Sequence, residues 1–230
     1  MAIFNPGPLL GQISGRIGGS IFSHNKGGAY IRNGSIPTAV SSAAAIAAKN
    51  RVSVLSQSWA GLTDAQRLGW KTYAEQTPVI NRLGNSITIP PMSHYIGINS
   101  RLMAAADTVL DVPPIAAPPD PLLTLTAVGD IGAGEVMITF TGTPLGAGIK
   151  LWVEACILES STVNYLKNRL RLLLVSAAAQ ATDLDIEAEL LARFGTLQVG
   201  QELHLMCRTF ASATGLLSGP LHSQVTITET

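Results

Sequence analysis

Five of the nine residues at 113–121 are proline: Pro113, Pro114, Pro118, Pro119 and Pro121. No other feature constrains the folding of this chain as much. Each proline fixes φ and removes an amide donor, so neither a helix nor a central strand continues through the run. The chain is expected to fold in two parts joined by a semi-rigid spacer at 113–121. Its 230 residues leave room for two units near the common domain size of about 100–150 residues.

Beyond the spacer the apolar period is two. Residues 123–128, 135–140, 149–156, 169–175, 202–210 and 223–228 all suit strands with one covered face. Glycine-bearing connections at 129–134, 142–148 and 215–220 point to an antiparallel β-sandwich over 122–230. One helix interrupts it. Asp183 is its candidate N-cap, Asp185, Glu187 and Glu189 suit its positive end, Ile186, Leu190 and Phe194 line one face, and Gly195 closes it.

Before the spacer, residues 5–37 hold eight glycines and three prolines with little apolar periodicity. Residues 1–37 are therefore expected to be an extended arm, ordered only where it lies on something. The glycines of 11–20 do not form a phosphate loop, because no strand precedes them and no Gly-Lys-Ser/Thr closes them. Residues 38–112 read as a helical region. A first helix is expected from Ala39 to about Trp59, with Thr38, Ser41 and Ser42 as N-cap candidates. A second opens on a capping box, Thr63 to Gln66, and ends before Pro78. Gly61 separates the two, so a helical hairpin anchored by Trp59, Leu62, Trp70 and Tyr73 is expected. Residues 79–89 read as two short strands around a Gly84-Asn85 turn, stopped by Pro90 and Pro91. A third helix from Ser93 to about Ala106 carries Tyr95, Ile96, Asn99, Leu102, Met103 and Ala106 on one side. The expected fold class is α+β.

Charge narrows the function. Only 13% of residues are charged, about half the roughly 25% of an ordinary domain, so this surface is expected to be covered in part by other chains. No membrane span accounts for the hydrophobicity, since 172–182 is too short before Asp183 and 33–48 is broken by Pro37. The first residues show no basic segment followed by an apolar one, so a cleaved secretion signal is not expected. Net charge is zero but divided. Residues 1–119 hold nine Lys or Arg against four acids, and 120–230 hold six against eleven. The first acid is Asp64, which leaves Arg16, Lys26, Arg32, Lys49 and Arg51 in a stretch that should seek an acidic surface. Arg16, Lys26, Tyr30 and Arg32, with Phe22 as an apolar anchor, are the expected interface residues. Five cations over 51 residues, with only Phe22 and Tyr30 to stack on bases, is thin for nucleic acid. A protein partner is the expectation and DNA contact the lesser alternative.

No chemistry stands out. No Gly-x-Ser-x-Gly elbow occurs, and nothing local proposes a nucleophile with its base. His24, His94, His204 and His222 are scattered, and none lies four residues from another as a helical metal pair would. On one strand, His204 and Cys207 should face opposite sides. Two cysteines, Cys156 and Cys207, are too few for a disulfide scaffold and are expected to be free and buried. The acids of 183–189 suit a helix start better than a calcium loop. The chain is expected to act without enzymatic chemistry, cofactor or metal.

GRIGGSIFSHNKGGAYIR at 15–32, SQSWAGLTDAQRLGW at 56–70 and NRLGN at 81–85 resemble a group of uncharacterised bacteriophage and prophage structural proteins. These share a G-x-x-G-G-x-x-F-S arm, an L-T-x-x-Q-R-x-x-W helix and a following β domain. The similarity covers roughly residues 10–105, with Trp59, Leu62, Thr63, Gln66, Arg67 and Trp70 its most specific part. The downstream half is similar to fibronectin type III or immunoglobulin-like sandwiches in strand pattern, without a clear tyrosine corner before Cys207. The resemblance implies a virion structural role and brings no catalytic residue. Three functions follow as expectations. The first is a head-associated auxiliary, cement or minor capsid protein, oligomeric within the particle, whose partners are the major capsid protein or neighbouring copies of itself. The second is a tail, connector or baseplate protein. The third, of another class, is a carbohydrate-binding or adhesion module using the sandwich loops. Against the third, Phe140, Trp152, Tyr165, Phe194 and Phe210 mostly sit in core-facing patterns.

Overall fold

Gly18 and Gly19 let the chain turn sharply. Gly18 takes φ +56, which L side chains rarely adopt, and the two residues join strand β2 (Gly15–Ile17) to β3 (Ser20–Asn25). A second turn brings back β4 (Gly28–Asn33), and β1 (Ala2–Phe4) pairs on its far side. The result is an antiparallel sheet of order β1-β4-β3-β2. This corrects the expectation of a lone extended arm, because the strands find their partners within the same 35 residues. The computed structural model describes residues 2–4, 7, 12–25, 27–35, 42–81, 83–132, 135–142, 145–159, 166, 168–181 and 183–229. It divides into two compact units, residues 1–100 with 109–113 and residues 101–108 with 114–230. Its described residues form four helices and several antiparallel sheets, an α+β arrangement.

In the first unit, helix α1 (Ala43–Gly61) begins at Ser42, whose hydroxyl accepts the Ala45 amide at 3.4 Å. The other cap candidates, Thr38 and Ser41, lie outside the described residues. Helix α2 (Asp64–Gln76) opens on the full capping box: the Gln66 amide donates to Thr63, and the Thr63 amide donates to the Gln66 side chain at 2.8 Å. The turn between the helices is held by Arg67, which donates to the Ala60 carbonyl at 2.7 Å.

After α2, Asn81 organises the turn between β5 (Val79–Ile80) and β6 (Ser86–Ile87): its side-chain oxygen accepts the amides of Leu83 and Asn85, with Gly84 at φ +82. Pro90 and Pro91 stop the second strand but do not delay the next helix. Pro91 is the first residue of α3 (Pro91–Ala104), a position whose amide has no helical partner in any case. Trp59, Trp70, Tyr73 and Tyr95 bring the three helices together, with Trp59–Tyr95 and Trp70–Tyr95 ring centroids 5.3 and 5.5 Å apart. Asn99, fully buried, clamps the returning chain. It donates to the Leu110 carbonyl at 3.0 Å and accepts the Leu110 amide at 2.8 Å. Beside it, the Trp70 indole donates to the Asp111 carbonyl at 2.9 Å.

In the second unit, β7 (Leu125–Asp130), β8 (Glu135–Phe140) and β11 (Leu184–Asp185) form a three-stranded antiparallel sheet of order β11-β8-β7. β9 (Ile149–Leu158), β10 (Arg171–Val175), β12 (Glu202–Ala211) and β13 (Leu221–Thr226) form a four-stranded one of order β10-β9-β12-β13. Both sheets send alternate residues into one core: Val136, Ile138 and Phe140 from β8, Leu151, Val153 and Ala155 from β9, and Leu203, Leu205 and Cys207 from β12. Helix α4 (Glu187–Phe194) adds Leu190 to that core and stops at Gly195 with φ +85. Its N-cap is Ile186, not Asp183. Asp183 has φ +62 and accepts the Thr139 hydroxyl at 2.8 Å, so it turns the chain before β11, and Asp185 meets the Glu187 amide at 2.9 Å. Residues 101–108 belong with this unit because Lys150 bonds Asp107 at 2.7 Å and the Ala105 carbonyl at 2.9 Å.

Candidate interface

Strand register decides which of the expected interface residues stand together. Cross-strand partners share a face of a sheet. Arg16 pairs with Ile21, and Ile21 with Arg32, so the two arginines flank an isoleucine across three strands. Tyr30 lies on the same face, between Ser23 and Ile3. Phe22 is on the opposite face, since it pairs with Gly15 and Ile31. There it meets Phe4 edge to face, ring centroids 6.3 Å apart. Arg16, Tyr30 and Arg32 are thus brought together and Phe22 is separated from them. Lys26 lies outside the described residues.

Among the described side chains of β1–β4 none is buried on either face. Arg16 and Arg32 are exposed, Phe4, Phe22, Tyr30 and Ile31 are half-buried, and edge residue Ile17 is 70% exposed. Arg16 spends its Nε on the Gly18 carbonyl at 2.9 Å, which pins the guanidinium over the first turn. The second turn is tied to the β5–β6 hairpin, where Asn81 donates to the Gly27 carbonyl at 3.4 Å. The sheet is therefore tied at one end, and its described side chains are half-buried or exposed. Ile3, Phe4, Ile21 and Ile31 were not singled out from sequence. The signal that finds them is the Gly18-Gly19 pair between Ile17 and Ile21, a two-residue hairpin flanked by alternating apolar residues.

Elsewhere the first unit also exposes apolar side chains. Ile80 is 72% exposed, Leu68 61%, and α1 buries Leu55 alone while Ile46, Val52 and Val54 reach solvent.

The second unit carries its titratable groups in quieter settings. His204 pairs with Cys156 across β12 and β9, while Cys207 points into the core on the other face. Burial holds the His204 imidazole below its ordinary value of 6.5, against the opposing pull of Glu202. Burial pushes the Cys156 thiol up despite Arg169 and Arg171, and pushes Cys207 up to about 12. At neutral pH these groups are a neutral imidazole and two thiols, which is not an activated nucleophile with its base. Both cysteines are free and buried. A cavity of about 690 Å³ is bounded by residues 119–123, Thr141, Gly142, Leu145, Gly146, Ile149 and Thr209, and among these described residues Asp120 is the one ionisable group. Among the described residues, no group of three or more His, Cys, Asp or Glu could hold a metal ion, and no helix is long and apolar enough to cross a membrane.

No protein-family model matches the chain, and no curated protein is similar enough to count as a relative.

Proposed function

We propose that this protein is a non-enzymatic structural component of a bacteriophage particle, a head-associated auxiliary, cement or minor capsid protein that works by packing against other chains. The observation that carries this reading is the β1–β4 sheet, which is hydrogen-bonded throughout yet buries no described side chain on either face. A lone sheet gains its stability from an apolar face that is covered, and this one carries Phe4, Phe22 and Ile31 with no core of its own. Low charge and the exposed Leu68 and Ile80 point the same way. The resemblance of residues 10–105 to phage and prophage proteins supplies the particle. The second unit fits the role as a fibronectin type III-like sandwich, supported by antiparallel sheets of three and four strands that share one core. The protein would be assembled in the host cytoplasm and end in the virion. A tail, connector or baseplate position is the alternative within the same class.

The test is light scattering behind size-exclusion chromatography on the full chain and on a chain lacking residues 1–37, with protease mapping of that segment. The reading expects the shortened chain to stay folded by circular dichroism and to lose association with its partners. An unfolded product would make the sheet part of a core, and a fully protected monomeric full chain would remove the packing role. A tagged chain that bands with gradient-purified heads supports the head assignment; banding with detached tails favours the alternative.

A further inference from the structure

The second unit has a sheet face that complements the arginine face of the first. On the side of β11-β8-β7 away from the core, register places Asp130 beside Glu135, Val128 beside Met137, and Asp185 on the other side of Met137. Thr126 and Thr139 form the next row, and Asp183 is bonded to Thr139 there. This face therefore carries Asp130, Glu135, Asp183 and Asp185 around an apolar centre in which Val128 is 54% exposed. None of the residues of these three strands is Lys or Arg. The face of β2-β3-β4 has the opposite pattern, with Arg16 and Arg32 flanking Ile21 and with Tyr30 and Ile3 alongside. Its strands contain no acid.

We infer that copies of this chain meet head to tail, the Arg16–Ile21–Arg32 face of one copy lying on the acidic outer face of β11-β8-β7 of the next. The inference rests on the reading that the protein packs against proteins, and names the partner as a second copy. Charge complementarity selects that partner. The chain is neutral only because an excess of nine cations over four acids before residue 120 is matched by eleven acids over six cations after it. Each copy so carries both halves of the contact, a heterologous arrangement that repeats into a ring or a filament. Two strands of six residues and a third of two or three present only a few hundred Å² per face. The contact is therefore weak, salt-sensitive and dependent on many copies.

Sedimentation velocity on the full chain over a range of concentrations, at low and high salt, reads this directly. The expected result is association that rises with concentration and falls with salt. Two reversal variants sharpen it: Arg16→Glu/Arg32→Glu on one face, and Thr126→Lys/Glu135→Lys on the other. Asp183 and Asp185 are left in place because they hold Thr139 and the start of α4. Each variant, folded by circular dichroism, should associate at least about tenfold more weakly, because like charges then face each other. Mixing the two should restore association, since each now presents what the other lacks. A wild-type monomer at every concentration overturns the inference while leaving a different protein partner in place. So does association indifferent to both reversals, a pair of folded variants that fails to recover on mixing, or salt-sensitive binding of the arginine face to duplex DNA without self-association.

Discussion

Two antiparallel sheets of four strands stand in this chain, and they differ in almost everything except their ladders. The sheet β10-β9-β12-β13 is buried on both faces of its two central strands. Leu151, Val153, Leu203 and Leu205 face the core, and Trp152, Cys156, His204, Met206 and Phe210, on the other face, are also buried. The sheet β1-β4-β3-β2 buries no described side chain. Backbone pairing satisfies donors and acceptors equally in both, and its net contribution is small because water satisfies them too. What separates the two is apolar area removed from water, at about 25 cal/mol per Å². The inner face of the second unit's sheet completes that burial against β8 and α4 of the same unit. The sheet of the first unit is expected to complete it with another molecule.

The comparison breaks most sharply on matched aromatic truncations. Phe210→Ala, at a fully buried ring in contact with Trp152, should cost about 3–5 kcal/mol in urea unfolding. A loss below about 1 kcal/mol would mean that this outer face is not a true interior. Asn99→Ala comes next, at about 2–3 kcal/mol, because it leaves the part-buried carbonyl and amide of Leu110 without their partner at once. Its effect belongs to the helices of the first unit, and would show that this unit has a firm centre despite its open sheet. Thr63→Ala removes one arm of the capping box and should cost about 1 kcal/mol, read from the thermal midpoint.

Smaller still is a pH effect confined to the buried sheet. A histidine whose folded value is lowered binds its proton more readily when unfolded. His204 therefore leaves stability intact above about 6.5 and erodes it as pH falls below 6.5 and through the lowered folded value. His204→Gln should flatten that acid-side decline in a series of thermal midpoints, and an unchanged slope would remove His204 as its source. Smallest is Phe22→Ala, expected below about 1 kcal/mol on the isolated chain because the ring is only half-buried there. The same variant should weaken binding of a partner chain on the Phe4–Phe22–Ile31 face far more than it weakens stability. Equal losses in both would erase the contrast between the sheets.

Much of the local structure was legible beforehand. The capping box at Thr63 and Gln66, the stop at Gly195, the Gly84 turn and six of the strands of the second unit were read from neighbouring residues. Asp183 was misread because acids before a helix suit a cap wherever they fall, and only its positive φ and its bond to Thr139 show that it turns the chain instead. Strand β11, two residues long, is too short for any period to declare it. Of the expected interface, Arg16, Tyr30 and Arg32 share a face, and nothing in their spacing said that Phe22 would take the other.

The division follows from range. Caps and turns depend on atoms within about four residues, so the sequence by itself determined them, along with the charge split and the scarcity of charge. Which strands pair, which face each side chain takes and what covers it depend on partners far along the chain: β9 against β12, Asn99 against Leu110, β1 against β4. Those pairings trade loop entropy against burial over the whole molecule, and only the tertiary structure decided them.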